Sequence, residues 1–250
     1  PRSTLFPYTT LFRSIGAKSV IEGGVLSFGV SGSDPDGTVP SLSASTLPSG
    51  ATFVDNNNGT GSFNWSPTFT QSGGYQVTFY ASDGSAVDSE VVTITVVEAG
   101  NQEPVLAAIG AQSVTEGTQL AFGVIATDAD GTQPVLTTST LPAGAAFVNN
   151  GNGTGNFTWT PDYTQSGVYS VTFYAADGVA TDSEVVSITV NDAGNQIPVL
   201  AAIGAKNTVE GATLTFGVSA TDADGGFPIL STSTLPSLAT FTDNGNGTGT

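Results

Sequence analysis

Gly153-Thr154-Gly155-Asn156-Phe157-Thr158-Trp159-Thr160-Pro161 is the stretch on which the reading of this chain turns. It holds one of two tryptophans, and it recurs upstream as Gly59-Thr60-Gly61-Ser62-Phe63-Asn64-Trp65-Ser66-Pro67. Phe157 and Trp159 share a parity with polar residues between them, so on an extended strand both rings point to one face. The glycines before them supply a turn, and the proline after them ends the ladder because it has no N–H. Burying an indole removes roughly 150–250 Å² of surface from water, worth about 4–6 kcal/mol at 25 cal/mol per Å². That is a large share of a small domain's net stability. The tryptophan strand is therefore expected to organise a core.

Outward from this strand the chain repeats. Ile15-Gly16-Ala17-Lys18, Ile109-Gly110-Ala111-Gln112 and Ile203-Gly204-Ala205-Lys206 open three copies at a constant spacing of 94 residues. A unit of that length is a domain-sized bead rather than a turn of a solenoid. In the second copy Leu120, Phe122, Val124 and Ala126 face one way, as do Tyr169, Val171, Phe173 and Ala175, and then Val186, Ile188 and Val190. Short strands of period two separated by Gly-, Asn- and Asp-rich turns, with about seven per unit and no helical period, predict an all-β chain of tandem immunoglobulin-like antiparallel β-sandwiches.

The expected organisation is repeat one over 15–99 without its first strand, a linker at 100–103, repeat two over 104–193, a linker at 194–197, and a truncated repeat three over 198–250. Each linker ends in a proline, Pro104 or Pro198, that fixes φ before the next first strand. Repeat three stops before its tryptophan strand, so it is expected to close no core and to leave Leu214, Phe216 and Val218 partly exposed. Pro1 to Ser14, PRSTLFPYTTLFRS, resemble the conceptual translation of a common sequencing-library adapter, residue for codon throughout. They contain no apolar core between a positive flank and a cleavage site. On this reading they are an artefact outside the fold, and the chain is an interior fragment of a longer protein.

Composition narrows the function. The formal net charge is −17, and Lys18 and Lys206 are the only cations outside the first fourteen residues. Such a chain repels phosphate backbones and anionic membrane surfaces, which argues against nucleic acid as a partner. No apolar run is long enough to span a bilayer as a helix. At 38% hydrophobic residues in alternating patterns, the chain has enough apolar surface for packed cores despite its charge. With no Cys and no His, thiol chemistry, disulfides and the commonest general base are excluded. Carboxylates, hydroxyls and amides remain, a set suited to hard cations and hydrogen bonds.

Leu141-Pro142-Ala143-Gly144, Phe147, Gly155, Phe157-x-Trp159-x-Pro161, Gly167-x-Tyr169 and Tyr174-Ala175-Ala176-Asp177-Gly178 together resemble the immunoglobulin-like repeats of large bacterial surface and secreted proteins, relatives of cadherin-like, dystroglycan-type domains. The resemblance covers nearly everything after Ser14. It implies non-catalytic spacer or adhesion modules at the cell surface or outside the cell, with neighbouring repeats as partners and a cell-surface protein or glycan as an external one. It also implies calcium at the domain junctions. Carried over by matching motif, the first junction would use Glu22, Glu98, Asn101, Asp128, Asp130 and Asp177, and the second Glu116, Asp192, Asn195, Asp222 and Asp224. Trp159-Thr-Pro-Asp162 replaces the cadherin Leu-Asp-Arg-Glu motif, and the linker is shortened in acidic residues. Fewer anionic ligands imply weak binding, on the order of 10⁻⁴–10⁻³ M.

A second reading of the same residues stays open. Asp-x-Asp-Gly, at Asp34/Asp36, Asp128/Asp130 and Asp222/Asp224, is a good turn without any metal. Paired carboxylates could serve glycoside hydrolysis, but these lie in a turn repeated in every unit, and no catalytic role is expected. Asn58-Gly59-Thr60 and Asn152-Gly153-Thr154 match a glycosylation triplet and equally a hairpin turn, the reading preferred here. Tyr80 and Tyr174 fall on the outward face beside inward Phe79 and Phe173, where they could stack on sugars. The alternative function is thus a carbohydrate-binding accessory module of a secreted hydrolase.

Overall fold

The computed structural model describes residues 11–35 and 37–250, so Asp36 and the first ten residues of the adapter-like segment lie outside the described residues. Every regular element among the described residues is a strand. Repeat one carries β1 (Leu11–Phe12), β2 (Lys18–Ile21), β3 (Leu26–Ser33), β4 (Ser41–Ala44), β5 (Thr52–Asp55), β6 (Thr60–Trp65), β7 (Gly73–Ser82) and β8 (Val87–Val97). Repeat two carries β9 (Val105–Leu106), β10 (Gln112–Thr115), β11 (Leu120–Thr127), β12 (Val135–Thr138), β13 (Ala146–Asn149), β14 (Thr154–Trp159), β15 (Gly167–Ala176) and β16 (Thr181–Asn191). After Pro198 come β17 (Val199–Leu200), β18 (Val218–Thr221) and β19 (Thr248–Gly249).

In repeat two one sheet has the order β13-β14-β11-β9 and the other β10-β16-β15-β12. Repeat one follows the same plan, with β1-β3-β6-β5 and β2-β8-β7-β4. The seven expected strands become eight because the leading strand is split: β9 edges one sheet and β10 edges the other. All pairs within these sheets are antiparallel except β10 with β16, and β2 with β8, which run parallel. Alternation did not reveal the parallel pairing, because β10 and β2 are short edge segments of four residues each.

The tryptophan strand fills the centre as its parity requires. In β14 against β11, Trp159 sits opposite Leu120 and Phe157 opposite Phe122. The Phe122 and Phe157 rings stack with centroids 4.8 Å apart, and Tyr169 meets Trp159 edge-on at 4.8 Å. The buried indole spends its one donor on Ala143 O at 3.1 Å, so no polar atom of the ring is stranded. Val171, Phe173, Ala175, Val186, Ile188 and Val190 close the same core from the opposite sheet. Gly155 is required between them: a Cβ there would lie 2.4 Å from the tip of the Phe147 ring. Repeat one has an equivalent cluster around Phe63, Trp65, Phe79 and Ile94. The Asn-Gly-Thr segments form hairpin turns, with Asn152 Oδ1 accepting from Thr154 N–H at 3.2 Å and Thr154 Oγ1 at 2.6 Å.

One expectation is corrected. Repeat one does not lack its first strand: Leu11 and Phe12 pair with Ser33 and Gly32 of β3, in the place that β9 takes in repeat two. Phe12 also packs against the repeat-one core. This edge asks only for one inward apolar side chain and free backbone groups, and Leu-Phe meets that need whatever its origin. After Pro198 the chain forms a single three-stranded sheet, β17-β18-β19, and neither core cluster contains a residue beyond Val190. Leu214 and Phe216 are exposed and Val218 is half-buried.

The chain divides into two compact units. One comprises the chain up to Glu103 together with Asp128–Thr132; the other comprises Pro104–Thr127 and Gln133–Thr250.

Candidate functional site

Two groups of carboxylates stand out once the strands are placed. The first gathers at the linkers. Glu116 follows β10 directly, and its backbone N–H continues the ladder to Asn191 O at 3.0 Å. The side chain is therefore carried inward, 5% exposed, and Oε2 accepts from Ala193 N–H at 3.2 Å. Oε1 is buried and has no hydrogen-bond partner. Beside it a cavity of about 450 Å³ is lined by Glu116, Tyr163, Asp192, Asn195 and Asp224, with Thr164, Ser166 and Gly194. Asp224 reaches the same linker by accepting from Gln196 N–H at 2.6 Å, and Asp192 caps its own turn through Gly194 N–H. Asp222 stands back from the cavity lining and orients Asp224 by accepting its N–H at 3.0 Å. The Tyr163 ring is seated on Gly117, where a Cβ would approach its hydroxyl to 2.7 Å.

The other unit repeats the arrangement. Glu22 is 3% exposed, Oε2 accepts from Ala99 N–H at 3.4 Å, and Oε1 is buried without a partner. Asp130 Oδ2 accepts from Gln102 N–H at 2.5 Å and Asp128 Oδ1 from Asp130 N–H at 2.8 Å. Their remaining oxygens, Asp130 Oδ1 and Asp128 Oδ2, are buried and unpartnered. Asn101 donates to Gln102 O, and Glu98 is exposed at the linker's start. Asp177 belongs to the unit containing Gln133–Thr250, where Oδ1 accepts from Val179 and Ala180 N–H at 2.7 Å each. Its counterpart Asp83 has a carboxyl held below the ordinary aspartate range, by the N–H of Ala86 first and of Ser85 next.

A buried carboxylate oxygen with no donor carries an uncompensated desolvation cost. Among the described residues no three Asp or Glu side chains converge closely enough to hold a metal ion by themselves. The donors at the linkers are instead carboxylate oxygens mixed with amide and backbone oxygens, the chemistry of a weak hard-cation site. The stranded oxygens of Glu22, Glu116, Asp128 and Asp130 fit such an ion.

The second group was missed by the motif reading. Asp182 and Glu184 open β16, and Asp88 and Glu90 open β8. Asp182 Oδ2 accepts from Leu106 N–H at 2.8 Å, while Glu184 accepts from Ile109 N–H with both oxygens at 3.0 Å and from Gly110 N–H at 3.1 Å. In repeat one the donors are Phe12, Ile15 and Gly16. The signal was available: Asp182 and Glu184 share the inward parity of Val186, Ile188 and Val190. Acidic residues on a core-facing row need a local reason.

Residues 101–189 match the family described as "Bacterial Ig domain", and residues 9–97 match the family described as "Putative Ig domain". Chitinase A of Pseudoalteromonas piscicida is 27% identical over 146 residues, covering 58% of this chain and 18% of that protein. The chain thus spans less than a fifth of that relative. Among solved structures, an endo-fucoidan hydrolase of glycoside hydrolase family 107 aligns with a TM-score of 0.40 and 18% identity over 98% of this chain and 39% of its own. The titin domains z1z2 in complex with telethonin align at 0.36 and 16%, over 74% of this chain and 98% of theirs.

Proposed function

We propose that this chain of tandem immunoglobulin-like repeats is a non-catalytic spacer of a larger bacterial extracellular or cell-surface protein, stiffened by calcium at its linkers. The observation that carries the proposal is the pair of buried glutamates, Glu22 and Glu116, each with one oxygen on the linker backbone and the other without a donor. Calcium would be held at the second linker by Glu116, Asp192, Asn195 and Asp224, with Asp222 behind them. At the first it would be held by Glu22, Glu98, Asn101, Asp128 and Asp130. A bound hard cation neutralises the stranded charge and ties linker to sandwich.

Thermal melts with calcium and with chelator test this reading. At ten- to a hundredfold excess of calcium over the dissociation constant, stabilisation of about 1.4–2.7 kcal/mol is expected, with a longer particle in scattering. Superimposable melts and scattering curves would overturn calcium stiffening.

A second reading, an accessory module of a secreted hydrolase, is supported by the likeness to chitinase A. Tyr80 and Tyr174 are half-buried on the outward face of the sheet and would be its sugar contacts. Glycan-array binding that disappears on Tyr80→Ala and Tyr174→Ala favours this reading. Calcium-dependent elongation without glycan binding favours the spacer.

A further inference from the structure

We propose that the carboxylate pair at the head of each sandwich's last strand is an acid-releasable latch on the leading segment of that sandwich. The pair is Asp182 and Glu184 in repeat two, and Asp88 and Glu90 in repeat one. The leading segment leaves one sheet after Leu106 and joins the other at Gln112. Ala107 N–H still bonds Ile125 O of β11 at 2.8 Å, but no strand pairing follows until Gln112, and the N–H groups of Leu106, Ile109 and Gly110 are collected by Asp182 and Glu184 at 2.8 to 3.1 Å. Repeat one reproduces the arrangement through Phe12, Ile15 and Gly16 at 2.8 to 3.1 Å. These are charge-assisted bonds between strand β16 or β8 of one sheet and the chain that edges the other, so they tie the two layers together.

Glu184 accepts three bonds with two oxygens, which only the ionised form does well: a protonated carboxyl turns one acceptor into a donor that faces N–H groups. The ionisable neighbours are few. Asp182 or Asp88 lies on the same strand, and Lys18 of β2 acts on Glu90. Gln112 stands where Lys18 does and donates to Ile109 O at 3.1 Å. Opposite on β15 and β7, the register partners Phe173, Ala175, Phe79 and Ala81 carry no charge. For Glu90 burial acts to raise the carboxyl, but the N–H groups of Gly16 and Ile15, with Ser14 and Lys18, outweigh it and hold it below the ordinary value of 4.5. A depressed carboxyl contributes stability that is complete above the unfolded value and is lost as pH falls through the folded one. Release would free the outer edge of β16 and uncover Leu106 while β15 and the tryptophan strand remain packed.

Amide hydrogen exchange on the whole chain from pH 7 to pH 3, corrected for intrinsic rates, tests the latch, with tryptophan fluorescence following the cores. Protection at Ile15 and Gly16 is expected to fall about tenfold or more at a higher pH than protection at Val77 and Phe79. Glu184→Gln is expected to cause the equivalent loss at Ile109 and Gly110 at pH 7, in repeat two alone, with Ile15 and Gly16 as internal controls. Lys18→Gln should move the repeat-one step to higher pH. Unchanged protection at Ile109 and Gly110 in Glu184→Gln, or a repeat-one acid step shared with Val77 and Phe79 in the unaltered chain, would overturn the latch. Should Glu184→Gln unfold repeat two outright, the pH series on the unaltered chain decides by the same criterion.

Discussion

Leu120 in repeat two is 9% exposed, whereas Leu214, its counterpart after Pro198, is 43% exposed. Phe122 packs against a core and Phe216 does not; Glu116 is buried and Glu210 is exposed. Yet the pairing of the two regions is the same. Val105 faces Thr127 as Val199 faces Thr221, and Val124 faces Gly155 as Val218 faces Gly249. Register within the first sheet therefore follows from local sequence and turns. Burial does not, because it needs the second layer that β15 and β16 supply in repeat two. The buried glutamate follows the same logic, since Glu116 is drawn in by a ladder that ends on β16.

The comparison can be broken from the repeat-two side. Trp159→Ala should have the largest effect, costing about 3–5 kcal/mol and giving repeat two the exposed interior seen after Pro198. Urea unfolding with a hydrophobic dye reads both outcomes, and a loss under 1 kcal/mol would show that β15 and β16 close the core without the indole. Gly155→Ala comes next. Its Cβ would meet the Phe147 ring at 2.4 Å and Val148 O at 3.1 Å, so about 1–3 kcal/mol is expected from overpacking. A fluorescence-monitored urea midpoint would report it. Gly144→Leu should have the smallest effect. Gly144 has φ +82°, and Leu238 holds the equivalent place at φ +71°. A left-handed leucine costs about 1–2 kcal/mol, so the substitution transfers one handicap of the later segment to repeat two. A midpoint equal to that of the unaltered chain would mean that the turn tolerates the side chain.

Much of the sandwich was legible in the chain because its signals are short-range. Alternation placed Phe157, Trp159, Val171, Phe173, Ile188 and Val190 inside, and Tyr174 on the other face of its strand. The split of the leading strand was not legible. Val105–Leu106 and Gln112–Thr115 are too short to show a period, and their partners lie in different sheets. The adapter-like sequence places Leu11 and Phe12 outside the fold, yet an edge position accepts any extended pair with an apolar inward residue. Among the linker residues, motif matching found Glu116, Asp192, Asn195 and Asp224, which line one cavity. It also named Asp222, which only orients Asp224. It passed over Asp182 and Glu184, whose acceptors meet N–H groups some 75 residues away in the chain.

Periodicity and turn chemistry, readable within a window of a few residues, were enough to specify a β-sandwich unit, and the constant 94-residue spacing its repetition. Which glutamate is buried with an unpaired oxygen, which N–H groups a carboxylate collects, and whether an apolar row finds a second sheet depended on segments 70 to 80 residues apart meeting in space. Side-chain direction is a property of the local backbone. Desolvation and hydrogen-bond satisfaction are properties of everything that packs around it.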